Sequence, residues 1–183
     1  MKNYFIPIIF LILVVFEGCS KKSDDYYMGL AKKSVEQKNI PAAVEAYQDL
    51  VSNYPNSPMA PQALFELATL YQNKMIKNDN QSNGQAELTD TQSLEKAISL
   101  FKSIFDKYPQ SDYAPKALFM SGFIESNDLK QFNDATITFN LFLQKYPNNE
   151  LVSSAKEELN NMGLSPEEII KKKNDSKVNV SNK

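Results

Sequence analysis

A polar stretch near the middle of the 183-residue chain carries the side chains best suited to binding a metal ion. Oxygen-bearing side chains recur there at short intervals, at Asp79, Gln81, Asn83, Glu87 and Asp90. Together with Gly84 they follow the order of a calcium-binding loop, in which oxygen atoms surround the ion. Amides occupy two positions where carboxylates are preferred, and an aspartate stands where a bidentate glutamate is usual. We therefore predict a surface loop without a metal, with calcium binding as the alternative.

Adjacent acids near the C-terminus are the residues from which a carboxylate-based glycan hydrolase would have to be built, at Glu157-Glu158 and Glu167-Glu168. Neighbouring residues of one helix point in different directions and do not face each other across a cleft. We predict that both pairs lie on solvated helix surface. A hydrolase is a remote alternative, because it requires acids brought together from different helices.

The composition removes most other catalytic and cofactor-binding sites. The chain has no histidine, which excludes Ser-His-Asp and Cys-His nucleophile arrangements and imidazole zinc sites. Its 5 glycines are scattered and form no phosphate-binding loop. Lys plus Arg number 20 against 22 Asp plus Glu, so the basic surplus that nucleic-acid binding needs is missing. We predict a protein that is not an enzyme, takes no cofactor or small-molecule substrate and binds no nucleic acid.

The N-terminus has the features of a bacterial export signal. Lys2 precedes an apolar run at residues 5–16, which is too short to span a bilayer comfortably, and the small Gly18 suits a cleavage site. Cys19, the only cysteine, follows at once. This order resembles the lipobox of bacterial lipoproteins, which implies that residues 1–18 are removed and that Cys19 is acylated with fatty acids such as palmitate. An ordinary signal peptide and an uncleaved anchor are the alternatives.

One pattern of small, aromatic and apolar residues followed by proline occurs three times. The copies are Ala43-x3-Tyr47-x2-Leu50-x4-Pro55, Ala97-x3-Phe101-x2-Ile104-x4-Pro109 and Ala135-x3-Phe139-x2-Phe142-x4-Pro147. Spacings of three and four place these residues on one face of a helix, and the proline lies beyond its end. A second amphipathic segment precedes each copy, so the pattern predicts two helices per unit.

The domain organisation follows from this repeat. Residues 19–24 are predicted to form a short linker, and residues 25–164 a domain of about three stacked helix-turn-helix units. A polar insert at about residues 77–90 joins the two helices of the middle unit. A further helix at residues 151–159 covers the last unit, and residues 165–183 are predicted as a short helix with a disordered lysine-rich tail.

The repeat resembles the tetratricopeptide repeat, with Ala31 and Gly122 at the small position of the first helix. The resemblance implies an all-α fold in which about three repeats stack as a right-handed α-α superhelix with a C-terminal capping helix. The junctions Tyr54-Pro55-Asn56-Ser57 and Tyr108-Pro109-Gln110-Ser111 are similar to those of the BamD family of outer-membrane protein assembly lipoproteins. They are also similar to junctions in the C-terminal repeat domain of the CpoB family.

The resemblance to BamD implies a membrane-anchored periplasmic scaffold at the outer membrane, with envelope proteins such as β-barrel assembly subunits as partners. A CpoB-like adaptor of the Tol-Pal and peptidoglycan machinery is the alternative. In tetratricopeptide arrays the first helices of the repeats line a concave groove. By that resemblance the partner-binding residues are Met28, Lys32, Val35, Glu66, Leu70, Met120 and Ile124. Their mixture of flexible, aliphatic and charged side chains suits an extended or helical peptide.

Overall fold

The computed structural model describes residues 22–77 and 87–172. Within these two ranges the chain forms helices, turns and loops but no strand. The longer helices are α1 (Asp24–Glu36), α2 (Ile40–Asn53), α3 (Ala60–Gln72), α4 (Asp90–Lys107), α5 (Tyr113–Phe123), α6 (Phe132–Lys145) and α7 (Val152–Asn161). A π-helical segment at Ile124–Asp128 continues α5, and residues 166–172 are also helical.

The helices pair in sequence order to form three repeats, namely α1 with α2, α3 with α4, and α5 with α6. Consecutive repeats pack through α2 on α3 and through α4 on α5, while α7 covers α6. The first helices α3 and α5 also touch each other, as expected when repeats stack. The predicted all-α fold of stacked tetratricopeptide-type repeats is confirmed.

The repeated alanine and aromatic positions of the second helices form the core. Ala43, Ala97 and Ala135 are fully buried. An alanine lets the neighbouring helix approach closely, and the aromatic side chain four positions later fills the volume between the helices. These aromatic residues, all buried, are Tyr47, Phe101 and Phe139. Removal of this face from water is the main force that holds each helix pair together.

The second helix of every repeat ends in the same way. Its last N–H donor belongs to a tyrosine, whose φ lies between −133° and −129°, at Tyr54, Tyr108 or Tyr146. The following proline has no N–H and cannot continue the helix. The chain then turns through a bond to the tyrosine carbonyl from the N–H of Ser57, Ser111 or Asn149. One short sequence signature therefore builds three equivalent junctions between repeats.

A tight turn with a lysine in the left-handed conformation follows the first helix of each repeat. In the first and third repeats this turn leads directly into the second helix, and in the middle repeat it leads into the polar insert. Lys38, Lys74 and Lys130 have φ values of 58°, 56° and 57°. In the first turn the N–H of Asn39 donates to the carbonyl of Ser34, as in a Schellman motif. Each turn reverses the chain direction, so the two helices of a repeat run antiparallel.

The interval from the small residue of the first helix to the alanine of the second is one position longer in the third repeat than in the first. Ala31 lies 12 positions before Ala43, whereas Gly122 lies 13 positions before Ala135. The π-helical segment directly after Gly122 accommodates the extra residue. A Cβ atom at Gly122 would lie 3.0 Å from ring carbons of Phe139, so any larger residue would require the ring to shift.

Candidate protein-binding groove

A groove opens between the first helices of the first two repeats, α1 and α3. It encloses a cavity of about 360 Å³. Four of the seven residues predicted for partner binding line it, namely Lys32, Val35, Glu66 and Leu70. The other lining residues were not predicted for partner binding. They are Glu36, Tyr47, Thr69, Asn73 and Met75. We call these nine residues the α1–α3 groove.

Helical spacing explains why these residues share one surface. Along α3 the lining positions follow Glu66 at intervals of three, four and seven residues, which places them on one face of the helix. Along α1 the same rule groups Val35 and Glu36 with Lys32. The missed residues Thr69 and Asn73 therefore carried a detectable signal, since each lies on the face that Glu66 already marked.

The second helix of the first repeat supplies the floor of the groove. The Tyr47 side chain is only 2% exposed yet borders the cavity. Burial, and secondly the negative charge of Glu66, raises the pKa of Tyr47 to about 12. Its hydroxyl is therefore neutral at physiological pH. Around this neutral floor the rim carries Lys32 and Glu36 of opposite charge, together with Met75, which is 40% exposed.

The other three predicted residues lie outside the groove. Met28 is a buried member of the main hydrophobic core, and Met120 is partly buried against that core. Ile124 is fully buried at the start of the π-helical segment. Ile124 belongs to the main hydrophobic core, so its side chain offers no exposed surface to a partner.

Comparison with known families identifies the array. Residues 20–125, more than half of the chain, match the family YfiO, whose description is outer membrane lipoprotein. The chain belongs to the YfiO family. Residues 116–149 match a tetratricopeptide repeat family, in the region of α5 and α6. No curated protein gives a significant match to the chain.

Membership in YfiO, the family of BamD, confirms the resemblance inferred from the junction sequences. Both matched families consist of non-enzymatic scaffolds that bind other proteins, YfiO at the bacterial envelope. The YfiO match includes all of α1, α2, α3 and α5, and thus every helix that borders the α1–α3 groove. The groove is therefore part of the family's matched region and not an addition to it.

The N-terminal features of this YfiO member lie mostly outside the described residues. Cys19 lies outside the described residues, and its acylation stays a prediction. The YfiO match begins at Ser20, directly after this cysteine. Among the described helices, none combines the length and the apolar character needed to cross a bilayer.

The predicted calcium-loop alternative falls largely outside the described residues as well. Asp79, Gln81 and Asn83 lie there, whereas Glu87 and Asp90 are described. The Glu87 carboxylate lies 3.6 Å from the Lys77 amino group, and Asp90 pairs with Lys74 at 2.7 Å. This ion pair holds the pKa of Asp90 below its usual value. Both carboxylates are therefore already neutralised by lysines, and the described ranges hold no cluster of three or more metal-ligating side chains.

Acids from two different helical segments do meet near the C-terminus. Glu157 and Glu158 of α7 and Glu168 of residues 166–172 line a cavity of about 470 Å³. Glu158 accepts a hydrogen bond from the Asn127 amide at 2.9 Å. Hydrogen bonds from Ser165, first from its N–H, hold the pKa of Glu168 below its usual value. A general acid needs a raised pKa, so Glu168 does not fit that role.

A buried ion pair between the second and third repeats was not apparent from the sequence. Glu125, in the π-helical segment, is only 2% exposed and accepts a hydrogen bond from Lys102 of α4 at 2.6 Å through Oε1. Its Oε2 atom is also buried but has no hydrogen-bond partner among the described residues. A lone glutamate gives no signal in a sequence until the helix that faces it is known.

Proposed function

We propose that this YfiO-family protein is a non-catalytic scaffold of the outer membrane that faces the periplasm. In this proposal Cys19 carries the lipid anchor, residues 1–18 are its signal peptide, and residues 19–24 link it to the repeats. The array then holds a segment of another envelope protein in the α1–α3 groove. The finer proposal is a BamD-like component of outer-membrane β-barrel protein assembly.

The observation that carries the proposal is the coincidence of the groove with the YfiO match. The groove lies within residues 20–125 and presents apolar Val35 and Leu70 beside charged Lys32 and Glu66. Apolar contacts supply affinity for an extended or helical peptide, while paired opposite charges fix its direction and register. The flexible thioether of Met75 at the rim can adapt to different side chains of a partner.

A lipid anchor adds to this binding without any new contact. Acyl chains contribute about 0.8 kcal/mol of membrane affinity per buried methylene group, so several chains hold a small domain firmly. Confinement to the same surface raises the effective concentration of scaffold and partner relative to each other. A groove of modest affinity is sufficient under these conditions.

The test is affinity purification of the membrane-extracted protein from its own host, with mass spectrometry of the proteins that accompany it. The groove variant combines Lys32→Glu with Met75→Ala, both exposed positions at the rim. Lys33→Glu is the matched control, because Lys33 is exposed on the same helix turn but does not line the groove. A Cys19→Ala strain tests the anchor.

We expect β-barrel assembly subunits with the wild type and with the control, and several-fold less of them with the groove variant and with Cys19→Ala. Recovery of Tol-Pal or peptidoglycan-synthesis proteins instead would replace the BamD-like role by the CpoB-like one. Equal recovery with the groove variant would show that the partner binds elsewhere on the array.

A further inference from the structure

The chain enters the array at a fixed point on one of its edges. The Tyr54 hydroxyl donates a hydrogen bond to the carbonyl of Lys22. Two residues later the Asp24 carboxylate accepts a hydrogen bond from the Ser57 hydroxyl at 2.6 Å. Ser23 between them caps α1. The first described residues are therefore held against the junction between the first and second repeats.

Two edges of the array can be distinguished by the connections that lie on them. The junction edge consists of residues 54–59 and 108–113, where second helices end and the next first helices begin. The turn edge carries the left-handed lysines Lys38, Lys74 and Lys130, at the opposite ends of the helices. The 13 residues of α1 separate the two edges by about 20 Å along the helix axis.

The distance from Cys19 to the junction edge is limited by covalent geometry. Lys22 lies three positions after Cys19, and an extended chain over three positions reaches at most about 11 Å. This is roughly half the length of α1. An acyl group on Cys19 is thus attached within about 11 Å of the junction edge.

The junction edge also has the surface chemistry of the lipid headgroup zone. Between the first two junctions it forms an open depression of about 610 Å³. Its lining combines the ring residues Pro58, Tyr108, Pro109 and Tyr113, and the buried Pro61, with the polar residues Asn56, Ser57, Gln110, Ser111 and Asp112. Lys107 lies at the rim, and the Lys22 amino group sits 4.6 Å from the centre of the Tyr26 ring. Tyrosine and lysine are the residues that favour the boundary between acyl chains and water.

We propose that the junction edge rests on the surface of the anchoring membrane, with Tyr113 and Lys107 at headgroup level. This inference rests on the proposed acylation of Cys19. The turn edge then points away from the membrane. The described residues Lys77 and Leu88, joined by a 2.8 Å bond from the Leu88 N–H to the Lys77 carbonyl, lie on that edge as well. Partners that approach from the periplasm meet the turns first.

Single introduced cysteines can measure this orientation directly. Cys19 is the only cysteine of the chain, and acylation consumes its thiol, so a new cysteine is the only reactive one. The positions for a fluorophore are exposed residues on either edge, Asn56 and Gln110 on the junction edge and Gln37 and Asp128 near the turn edge. Each acylated full-length protein is reconstituted into vesicles of phosphatidylethanolamine and phosphatidylglycerol. A nitroxide attached to the lipid headgroup quenches fluorophores that lie near the surface.

We expect several-fold stronger quenching at Asn56 and Gln110 than at Gln37 and Asp128. Equal quenching at all four positions, or stronger quenching near the turn edge, would overturn the orientation. Vesicle flotation of the same samples tests the lipid anchor separately from the orientation. A protein that floats but shows the wrong quenching pattern retains the anchor and loses only the orientation, whereas a protein that does not float loses both.

Discussion

The Tyr108 hydroxyl donates a hydrogen bond to the carbonyl of Pro55 over 2.8 Å, from the second junction of the array to the first. The two residues are 53 positions apart, on either side of the polar insert. Tyr54 makes the corresponding bond one step earlier, to Lys22 at the entry of the chain. The tyrosine that ends each of these helices thus also links its junction to the preceding one.

Tyr108→Phe is therefore expected to lower the free energy of unfolding by about 1 kcal/mol, the usual net contribution of one hydrogen bond. The ring itself is retained, so packing is unchanged. Tyr146→Phe is the matched control, since Tyr146 ends the third repeat in the same conformation but its hydroxyl bonds to no described residue. Urea denaturation measures both variants. A loss of equal size in the control would show that the bond from Tyr108 to Pro55 is not the cause of the effect.

Two helical glycines are expected to respond to alanine in opposite ways. Gly29, on the exposed side of α1, has no atom within 4 Å of an added Cβ, so Gly29→Ala should stabilise by about 1 kcal/mol through helix propensity. At Gly122 the same gain is opposed by contacts of 3.0 Å with the buried Phe139 ring. Overpacking costs about 1–3 kcal/mol, so Gly122→Ala should destabilise. Thermal unfolding of both variants is the measurement, and stabilisation by Gly122→Ala would show that Phe139 can move.

Substitution of Lys102 and substitution of its buried partner Glu125 are expected to lower the free energy of unfolding by unequal amounts. Lys102→Met leaves a buried carboxylate without its cation and should cost about 2 kcal/mol. Glu125→Leu removes the carboxylate, including its unpartnered oxygen, and should cost much less. In the double variant the effect of Lys102→Met should largely disappear. A double-mutant cycle by denaturant unfolding measures this, and equal losses in both single variants would contradict it.

Acid titration should reveal the bond between Ser57 and Asp24. The Ser57 hydroxyl, and then backbone N–H groups, hold the pKa of Asp24 below its usual value. This stabilisation is present above the ordinary aspartate pKa of about 4 and is lost as the pH falls through the lower folded-state pKa. Ser57→Ala should raise the pKa of Asp24, measured by carboxyl-carbon NMR.

The stability difference between wild type and Ser57→Ala should accordingly shrink as the pH falls below about 4. Ser111→Ala is the control, because Ser111 accepts the same turn bond, from the Tyr113 N–H, without contacting Asp24. Its stability loss should not depend on pH in this range. If the stability loss of Ser111→Ala also depends on pH in this range, the specific role of Asp24 is contradicted.

The helices of the array could be predicted almost completely from local patterns. The spacing of alanine, aromatic residue and proline placed α2, α4 and α6, because burial of one helical face and the missing N–H of proline act within a few residues. It also indicated a first helix in each repeat. The π-helical segment was not predicted. Its sign in the sequence is the interval of 13 positions from Gly122 to Ala135, one more than from Ala31 to Ala43.

The groove was predicted in part. Lys32, Val35, Glu66 and Leu70 were placed together because the resemblance to tetratricopeptide arrays puts the first helices along one groove. Met28 is buried in the core instead, which depends on how closely α1 packs on the rest of the first repeat. Ile124 is also buried in the main core, which depends on how α5 packs on its neighbours.

By itself, therefore, the sequence determined the repeat, its helix ends and a cysteine suited to an anchor, all of which depend on neighbours along the chain. Tertiary structure alone decided which charges became buried, as with Glu125 beside Lys102, and which edge receives the chain at Lys22. The physical reason is that these contacts join residues tens of positions apart. Their energies depend on distances that only the stacking of the repeats defines.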